Sequence, residues 1–192
     1  LSDDADTFAL MPKGLYEYEV FDDDPRTLAL TLIRACRIKL AVSEEKQTEL
    51  PDPGVQCPGT HRFEYAISAT AGGWEQADLL HRAAGYATPV RAAMIGRGQG
   101  QLPRQASLFS IDGTHVQVTA VKQAEAGDGL IIRIFNPLDR TQAAKLRFER
   151  GIASAKRCRI DESERDELIV SRHAVQIDLS AKQIETLKVT LP

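Results

Sequence analysis

The amino-acid sequence predicts a mainly β protein, an antiparallel β-sandwich with one short helix near residues 74–86. Apolar residues recur at every second position in stretches such as LYEYEVF and TLALTLIR, an alternation typical of strands with one buried face. After residue 104, short strand-like runs alternate with turn residues at intervals of about 8 to 12 positions, as in sandwiches and barrels. Only one segment has clear helical spacing.

The composition indicates a globular protein and argues against two classes of partner. The chain has 192 residues, of which 43% are hydrophobic and 27% charged, enough to bury the core of one domain or of two small ones. The net charge of -3 gives no broad electropositive surface, so we expect no nucleic-acid partner. No run approaches the roughly 20 apolar residues of a membrane span, so we expect no membrane partner.

The cysteines and the first residues bear on cellular location. Cys36, Cys57 and Cys158 are odd in number and widely spaced, which favours reduced thiols, and we expect a cytoplasmic protein. The chain starts at Leu1 without an initiator methionine, and the acidic LSDDADTF is unlike a secretory signal. We expect the sequence to be a piece of a longer protein.

The first half predicts a hairpin, a further strand and the helix. The strands of residues 15–21 and 27–34 are joined by DDDP, whose turn residues predict a hairpin. The Pro- and Gly-rich stretch 41–60 is predicted to be irregular, either functional or disordered. HRFEYAIS is predicted as a strand, with Phe63, Tyr65 and Ile67 on one face. WEQADLLHRAAGY, closed by Gly85, is predicted as the helix, with one apolar stripe.

The second half predicts a series of short strands. GRGQGQLPR at residues 96–104 is predicted to be a linker between residues 1–103 and 104–192. The strands predicted beyond it are SLFSI, HVQVTAV, LIIRIF, AKLRFE, KRCRI, AVQIDL and IETLKVTL. KQAEAGDGLIIRIFNP has the features of a hairpin whose register must be specified locally. A slip of one residue there would move Leu130, Ile132 and Ile134 to the wrong face.

The residues alone predict no catalytic centre, metal site or cofactor. GRGQG lacks the third glycine of a phosphate-binding loop, and DDDP lacks the glycine and glutamate of a calcium loop. The four histidines have no zinc-ligand spacing. Glu17 and Glu19 share one strand face, whereas a retaining glycosidase holds two carboxylates about 5–5.5 Å apart on either side of a bond.

Four segments, taken in order, resemble the C-terminal β region of bacterial family 38 glycoside hydrolases. They are GLYEYEVFDDDPRTLALTLIR, GVQCPGTHRFEYAISATAGGWEQADLLHRAAGY, KQAEAGDGLIIRIFNP and IETLKVTL. The family contains retaining α-mannosidases and mannosylglycerate hydrolases. The resemblance implies that residues 1–103 are a supersandwich-like part of a large β-sandwich domain and that residues 104–192 are a small C-terminal β-sandwich domain.

The resemblance also implies a longer parent enzyme. In the family, an N-terminal α/β barrel holds one zinc ion and an aspartate nucleophile, and none of those motifs matches a position in this sequence. The chain is then expected to be non-catalytic and inactive alone, with the catalytic N-terminal domains of the same polypeptide as partners and an α-mannoside as the parent's substrate. Loops of the β region approach the barrel in the family, so Lys13, Tyr16 and Glu17 are the candidate substrate-binding residues.

Two other functions remain open. An independent carbohydrate-binding module would present exposed aromatic rings, but aromatic residues are only 6% of the chain. Tyr16, Tyr18, Phe63 and Tyr65 are predicted to be core residues instead. A purely structural domain would assemble into oligomers, with a homodimer as the expected form. The choice between an α-linked sugar and a mannosylglycerate as the parent's substrate also stays open.

Overall fold

The computed structural model describes residues 1, 5–35, 56–96, 98–100, 103–113 and 115–192. It confirms a mainly β chain with antiparallel sheets and one α-helix in the described residues. The chain divides into two compact units, Leu1–Val90 and Arg91–Pro192. The domain boundary predicted at residues 103 and 104 stays a prediction, and Cys36 and most of the predicted irregular stretch 41–60 lie outside the described residues.

The first unit contains two antiparallel strand pairs. Strand β1 (Asp6–Lys13) pairs with β4 (Glu64–Ala71), and β2 (Tyr18–Val20) pairs with β3 (Leu28–Leu30). The β2–β3 pair confirms the predicted hairpin. In its turn, the Asp23 carboxylate accepts hydrogen bonds of 2.7 Å from both the backbone N–H and the hydroxyl of Thr27, which lower the pKa of Asp23. The DDDP turn is therefore closed by hydrogen bonds from Thr27 to the side chain of Asp23, one of its own residues.

The helix is shorter than the sequence predicts. Helix α1 spans Leu79–Ala87, whereas residues 74–78 form turns. Asp78 precedes the helix in the left-handed conformation, with φ 50°, which prevents a regular helix from passing through it. Gly85 lies inside the helix rather than closing it, and the chain leaves α1 just before Pro89, as a proline favours. No helix in the described part of the chain is long and apolar enough to cross a membrane.

The exposed side of the β1–β4 pair contradicts a prediction about the core. Tyr65 and Ile67 lie on one face of β4 as predicted, but they are 50% and 60% exposed, and Phe63 is only half-buried. The buried residues Thr7, Met11 and Ser68 lie on the opposite face. Alternation predicts which side chains share a face, whereas burial depends on whether another layer covers that face.

The second unit is a β-sandwich of a five-stranded and a four-stranded antiparallel sheet. The five-stranded sheet has the order β10-β9-β13-β7-β6, and the four-stranded sheet has the order β11-β12-β8-β5. Strands β10 and β11 were not predicted, because their sequences are charged or very short. The strands are β5 (Phe109–Asp112), β6 (Gln117–Gln123), β7 (Leu130–Phe135), β8 (Gln142–Phe148), β9 (Ser154–Cys158), β10 (Glu164–Glu167), β11 (Val170–Ser171), β12 (Ala174–Leu179) and β13 (Ile184–Thr190).

The inner faces of these two sheets form one apolar core. Ile132 and Ile134 of β7 and Leu187 and Val189 of β13 have no exposed surface. They pack with residues of the opposing sheet, including Leu146 of β8. The predicted face of the β6–β7 hairpin is therefore confirmed. Its turn needs glycine at residue 129, where φ is +137° and a Cβ atom would approach the carbonyl oxygen of Val189 to 3.2 Å.

A buried asparagine holds together two loops at one end of the sandwich. Asn136 has no exposed surface, and its side-chain amide nitrogen lies 2.8, 3.1 and 2.8 Å from the carbonyl oxygens of Arg140, Leu179 and Ser180. Its side-chain oxygen accepts a hydrogen bond from the backbone N–H of Leu138 at 3.0 Å. This side chain thus joins the loop after β7 to the end of β12 and the loop after it, in addition to the backbone hydrogen bonds from Asn136 to Gln183 and from Lys182 to Leu138.

The outer face of the five-stranded sheet carries a carboxylate between two lysines. Glu164 accepts hydrogen bonds of 2.8 Å from the ammonium groups of Lys156 and Lys188, which lower its pKa to about 2. Lys188 also donates to the carbonyl of Ala126 in the β6–β7 turn. These contacts connect β9, β10, β13 and the turn.

The lowered pKa predicts an acid-dependent contribution of Glu164 to stability. A glutamate in the unfolded chain titrates near pH 4.3, so the contribution is complete above that pH and is lost as the pH falls toward 2. We expect Glu164→Gln to unfold at lower denaturant concentration than the wild type at pH 6, and the difference to close toward pH 2. Unfolding curves at several pH values measure this, and a difference that stays constant would contradict it.

Candidate functional site

An apolar groove is one of the concave features of the first unit. It has a volume of about 550 Å³ and lies along β1 and the β2–β3 hairpin. Residues 74 and 79, from the turns before α1 and from its first position, also contribute. We call it the aromatic groove, and its main side chains are Phe8, Leu10, Tyr16, Tyr18, Leu30 and Trp74.

The local sequence explains why aromatic rings reach this groove. Tyr16 and Tyr18 are two residues apart and lie on one side of an extended segment. The preceding Gly14 has φ +77°, a conformation that lets the chain turn from β1 into this segment. Tyr16 is 91% exposed and Tyr18 is 67% exposed. The prediction that both rings are core residues is therefore wrong, because no layer of the described chain covers them.

The three predicted substrate-binding residues are placed differently. Tyr16 lines the aromatic groove, whereas Lys13 and Glu17 are not among its lining residues. The ammonium of Lys13 lies 3.0 Å from Glu64, and the carboxylate of Glu17 lies 3.6 Å from Arg34. The structure thus brings one of the three into the groove and places the other two in surface ion pairs. Substrate contact by any of them stays a prediction.

The charges near the end of β1 are mutually compensated. The hydrogen bond from Lys13, together with the positive charge of Arg62, lowers the pKa of Glu64. This carboxylate is therefore ionised at neutral pH and is held by its cations, an arrangement suited to fixing the ends of β1 and β4. A general acid needs the opposite shift, toward a raised pKa.

The lining of the groove favours binding over acid–base chemistry. Among the described residues that line it, none is an aspartate, glutamate, histidine or cysteine. Aromatic rings and aliphatic side chains dominate, and the tyrosine hydroxyl groups add polar contacts. Such a surface can bind an apolar surface or the face of a sugar ring.

Three of the described histidines make local contacts through their rings. His61 lies 2.9 Å from the carbonyl oxygen of Cys57, His81 contacts Asp78, and His173 lies 3.1 Å from the carbonyl oxygen of Phe148. Within the described ranges no group of three or more His, Cys, Asp or Glu side chains could hold a metal ion. The expectation that the chain has no metal ligand stays a prediction.

Sequence reasoning missed the roles of Phe8 and Trp74 in the groove. Trp74 is the first residue of the segment that the sequence predicts as a helix, but it lies in the turns before α1. Phe8 is on the same side of β1 as Leu10, and the alternation of residues in DTFALMPK is enough to predict this. Only the approach of β1 to the β2–β3 hairpin makes these separate segments one surface.

Three comparisons place this structure among known proteins. Residues 115–187 match the family model described as the glycosyl hydrolases family 38 C-terminal beta sandwich domain. The chain is 30% identical over 179 residues to a Halalkalibacterium halodurans protein provisionally named as a mannosylglycerate hydrolase; the match covers 92% of this chain and 18% of that protein. An α-mannosidase crystal structure from Enterococcus faecalis V583 matches with TM-score 0.78 and 23% identity, over 97% of this chain and 20% of that one.

The chain therefore spans about a fifth of the length of each of these relatives. The matched range covers most of the described sandwich of the second unit, from β6 to β13. The likeness in structure extends over nearly the whole chain and supports the same β architecture. Nearly the whole chain is similar to a part of each of these two relatives, and residues 115–187 form a family 38 C-terminal β-sandwich domain.

Proposed function

We propose that this chain is the non-catalytic C-terminal region of a retaining, zinc-dependent α-mannosidase. Its role is to support the catalytic N-terminal domains of the same polypeptide and to form part of the wall of the sugar site. The observation that carries this proposal is the family 38 C-terminal domain at residues 115–187, in a chain one fifth as long as its relatives. The names of those relatives, an α-mannosidase and a mannosylglycerate hydrolase, supply the substrate class.

Zinc and the nucleophile belong, in this proposal, to the N-terminal domains. The described residues offer no cluster of metal-ligating side chains, and the aromatic groove contains no carboxylate. Zinc would be needed by the parent to bind and polarise the substrate.

Hydrolysis assays test this proposal. We expect the isolated chain to give no hydrolysis of an aryl α-mannoside and no stoichiometric zinc, because the zinc ligands and the nucleophile belong, in this proposal, to the N-terminal domains. The full-length protein should hydrolyse the same substrate and lose activity on treatment with a chelator. Turnover by the isolated chain would contradict the proposal, and so would a full-length protein with zinc but no activity on any α-mannoside or mannosylglycerate.

The exposed tyrosines favour a second candidate, a carbohydrate-binding module. Tyr16 and Tyr18 present their rings to solvent at the groove, and sugar rings stack on such faces. Titration calorimetry of the isolated chain with mannose and mannobiose distinguishes the two candidates. Binding at millimolar concentration or tighter, lost on Tyr16→Ala but kept on Lys13→Ala, would favour the module. If neither sugar binds to the isolated chain, the result would favour the supporting role.

The remaining expectations concern assembly and location. We propose that the protein is cytoplasmic. The free thiols of Cys57 and Cys158 are compatible with this location. A structural role through a homodimer is the third interpretation. Sedimentation of the isolated chain tests it, because a stable dimer at micromolar concentration would support a role in oligomerisation.

A further inference from the structure

We propose that residues 159–167 form a strap that opens as a unit from the outer face of the five-stranded sheet while the sandwich core stays folded. The strap consists of the turn after β9 and the edge strand β10. It is held by charged side chains, and its opening uncovers a small group of buried side chains on the outer face. The strap is therefore a cover built into the domain, distinct from the core between the two sheets.

The outer face of the five-stranded sheet has buried side chains of its own. Ile131 has no exposed surface, and Cys158 and Thr186 are also buried. Ile131 and Thr186 directly precede the core residues Ile132 and Leu187, so they project away from the four-stranded sheet. Cys158 is directly opposite Thr186 and therefore projects to the same side. We call Ile131, Cys158 and Thr186 the outer cluster.

Glu164 holds the β10 part of the strap beside the outer cluster. It is directly opposite Cys158, and its carboxylate accepts hydrogen bonds from Lys156 of β9 and Lys188 of β13. Lys188 is in turn directly opposite Ile131, so these charged groups border the outer cluster. Burial, together with the negative charge of Glu164, raises the pKa of the Cys158 thiol.

Three contacts hold the tip of the strap at the other side of the sheet. The Glu162 carboxylate binds the ammonium group of Lys122 in β6 and accepts a hydrogen bond of 2.8 Å from the backbone N–H of Glu125. The guanidinium of Arg133 in β7 donates to the carbonyl oxygen of Ile160 at 3.0 Å. Because β13 lies between β9 and β7 in the sheet, the strap crosses the outer face from one side to the other.

The backbone of the strap is weakly secured. Strand β10 is exposed along its whole length, and its register with β9 shifts between Glu164 and Glu167. Ion pairs at a protein surface contribute little to stability, and segments with few buried contacts open locally in native proteins. The core, in contrast, includes central residues of β7 and β13. Opening of the strap therefore requires no unfolding of the core.

Alkylation of Cys158 with iodoacetamide, at about pH 8 so that part of the thiol is ionised, tests the proposal. The thiol is buried until the strap opens, and peptide mass spectrometry separates it from Cys36 and Cys57. We expect Glu164→Gln to raise the alkylation rate of Cys158 by about fivefold, because the side chain no longer attracts the two lysines by charge.

Glu167→Gln is the matched control for this variant. It removes the same charge from the same strand, but in the described part of the chain Glu167 accepts no hydrogen bond from Lys156 or Lys188. We expect this variant to alkylate at nearly the wild-type rate. Equal rates for Glu164→Gln and Glu167→Gln would overturn the proposal.

The dependence of alkylation on urea distinguishes opening of the strap from unfolding of the whole sandwich. Local opening exposes little surface, so the alkylation rate of Cys158 should change little at low urea concentrations. Hydrogen exchange of β7 and β13 should stay slow over the same period, both in the wild type and in Glu164→Gln. Alkylation that rises steeply from the lowest urea concentration and keeps pace with this exchange would overturn the proposal, since Cys158 would then react only through global unfolding.

Discussion

Leu187→Ala is expected to destabilise the second unit by about 2–5 kcal/mol, the range for truncating a buried leucine. Leu187 has no exposed surface and is in the central strand β13, which pairs with both β7 and β9. Removing the atoms of this side chain beyond Cβ leaves a cavity beside Ile132, the residue opposite Leu187 in β7. A loss of this size is a large fraction of the about 5–15 kcal/mol that stabilises a typical domain.

Denaturant unfolding followed by far-UV circular dichroism measures this effect. The second unit contains no tyrosine or tryptophan, so its unfolding is not visible in intrinsic fluorescence above 300 nm, whereas Trp74 reports on the first unit alone. Leu108→Ala is the matched control, because it removes the same atoms from a side chain that is 49% exposed. A loss for Leu187→Ala no larger than that of Leu108→Ala would contradict the assigned core.

Asn136→Ala is expected to cost about 3 kcal/mol, because each buried polar group left without a partner costs about 1–3 kcal/mol. The substitution removes the donor to the carbonyl oxygens of Leu179 and Ser180 and the acceptor for the N–H of Leu138. These groups belong to the loop after β7, the end of β12 and the loop after it, which backbone hydrogen bonds from Asn136 to Gln183 and from Lys182 to Leu138 continue to join in the variant. We expect hydrogen exchange to accelerate in both loops together.

Asp139→Ala is the control for this variant, since Asp139 belongs to the same loop but is exposed, and its contact with Lys182 of the other loop, at 3.0 Å, is a surface ion pair. A surface ion pair of this kind contributes about 0–1 kcal/mol. Asn136→Asp provides a further check: a carboxylate would face carbonyl oxygens, so this variant should be less stable than Asn136→Ala at neutral pH. If Asn136→Ala and Asp139→Ala were equally stable, the proposed joining of the loops would be wrong.

The two units differ in how much of their stability comes from within this chain. In the second unit, both sheets contribute to one buried core and the loops are held by polar contacts such as those of Asn136. In the first unit, the aromatic rings that form its groove are exposed. The core of the second unit is thus covered by its own two sheets, whereas the described residues of the first unit leave these rings uncovered.

Strand positions in the second unit could be predicted closely from local patterns. LIIRIF and AVQIDL coincide with β7 and β12, because dense or alternating apolar residues bounded by turn residues leave few other arrangements. By contrast, β10 has the sequence ERDE and is exposed throughout. Its place at the sheet edge depends on pairing with β9 and on the contacts of Glu164 with Lys156 and Lys188. The alternation of residues within β10 does not indicate these partners, because they belong to other strands.

The candidate site could be predicted only in part. Tyr16 reaches the groove as one would expect for the segment after β1, but Lys13 and Glu17 form ion pairs with Glu64 and Arg34. Those partners are far away in the sequence. No local pattern indicates which strand lies beside a lysine, so its partner is known only when the sheet register is known.

By itself, the sequence determined the β class, the strand faces and the resemblance to the family 38 C-terminal region, because period-two alternation and turn residues act over a few positions. Only the tertiary structure decided which of those faces are covered. Tyr65 and Leu187 both lie on apolar strand faces, but Leu187 is buried under an opposing sheet and Tyr65 is half exposed. The physical reason is that alternation specifies direction within one strand, whereas burial requires a second layer supplied by residues distant in the chain.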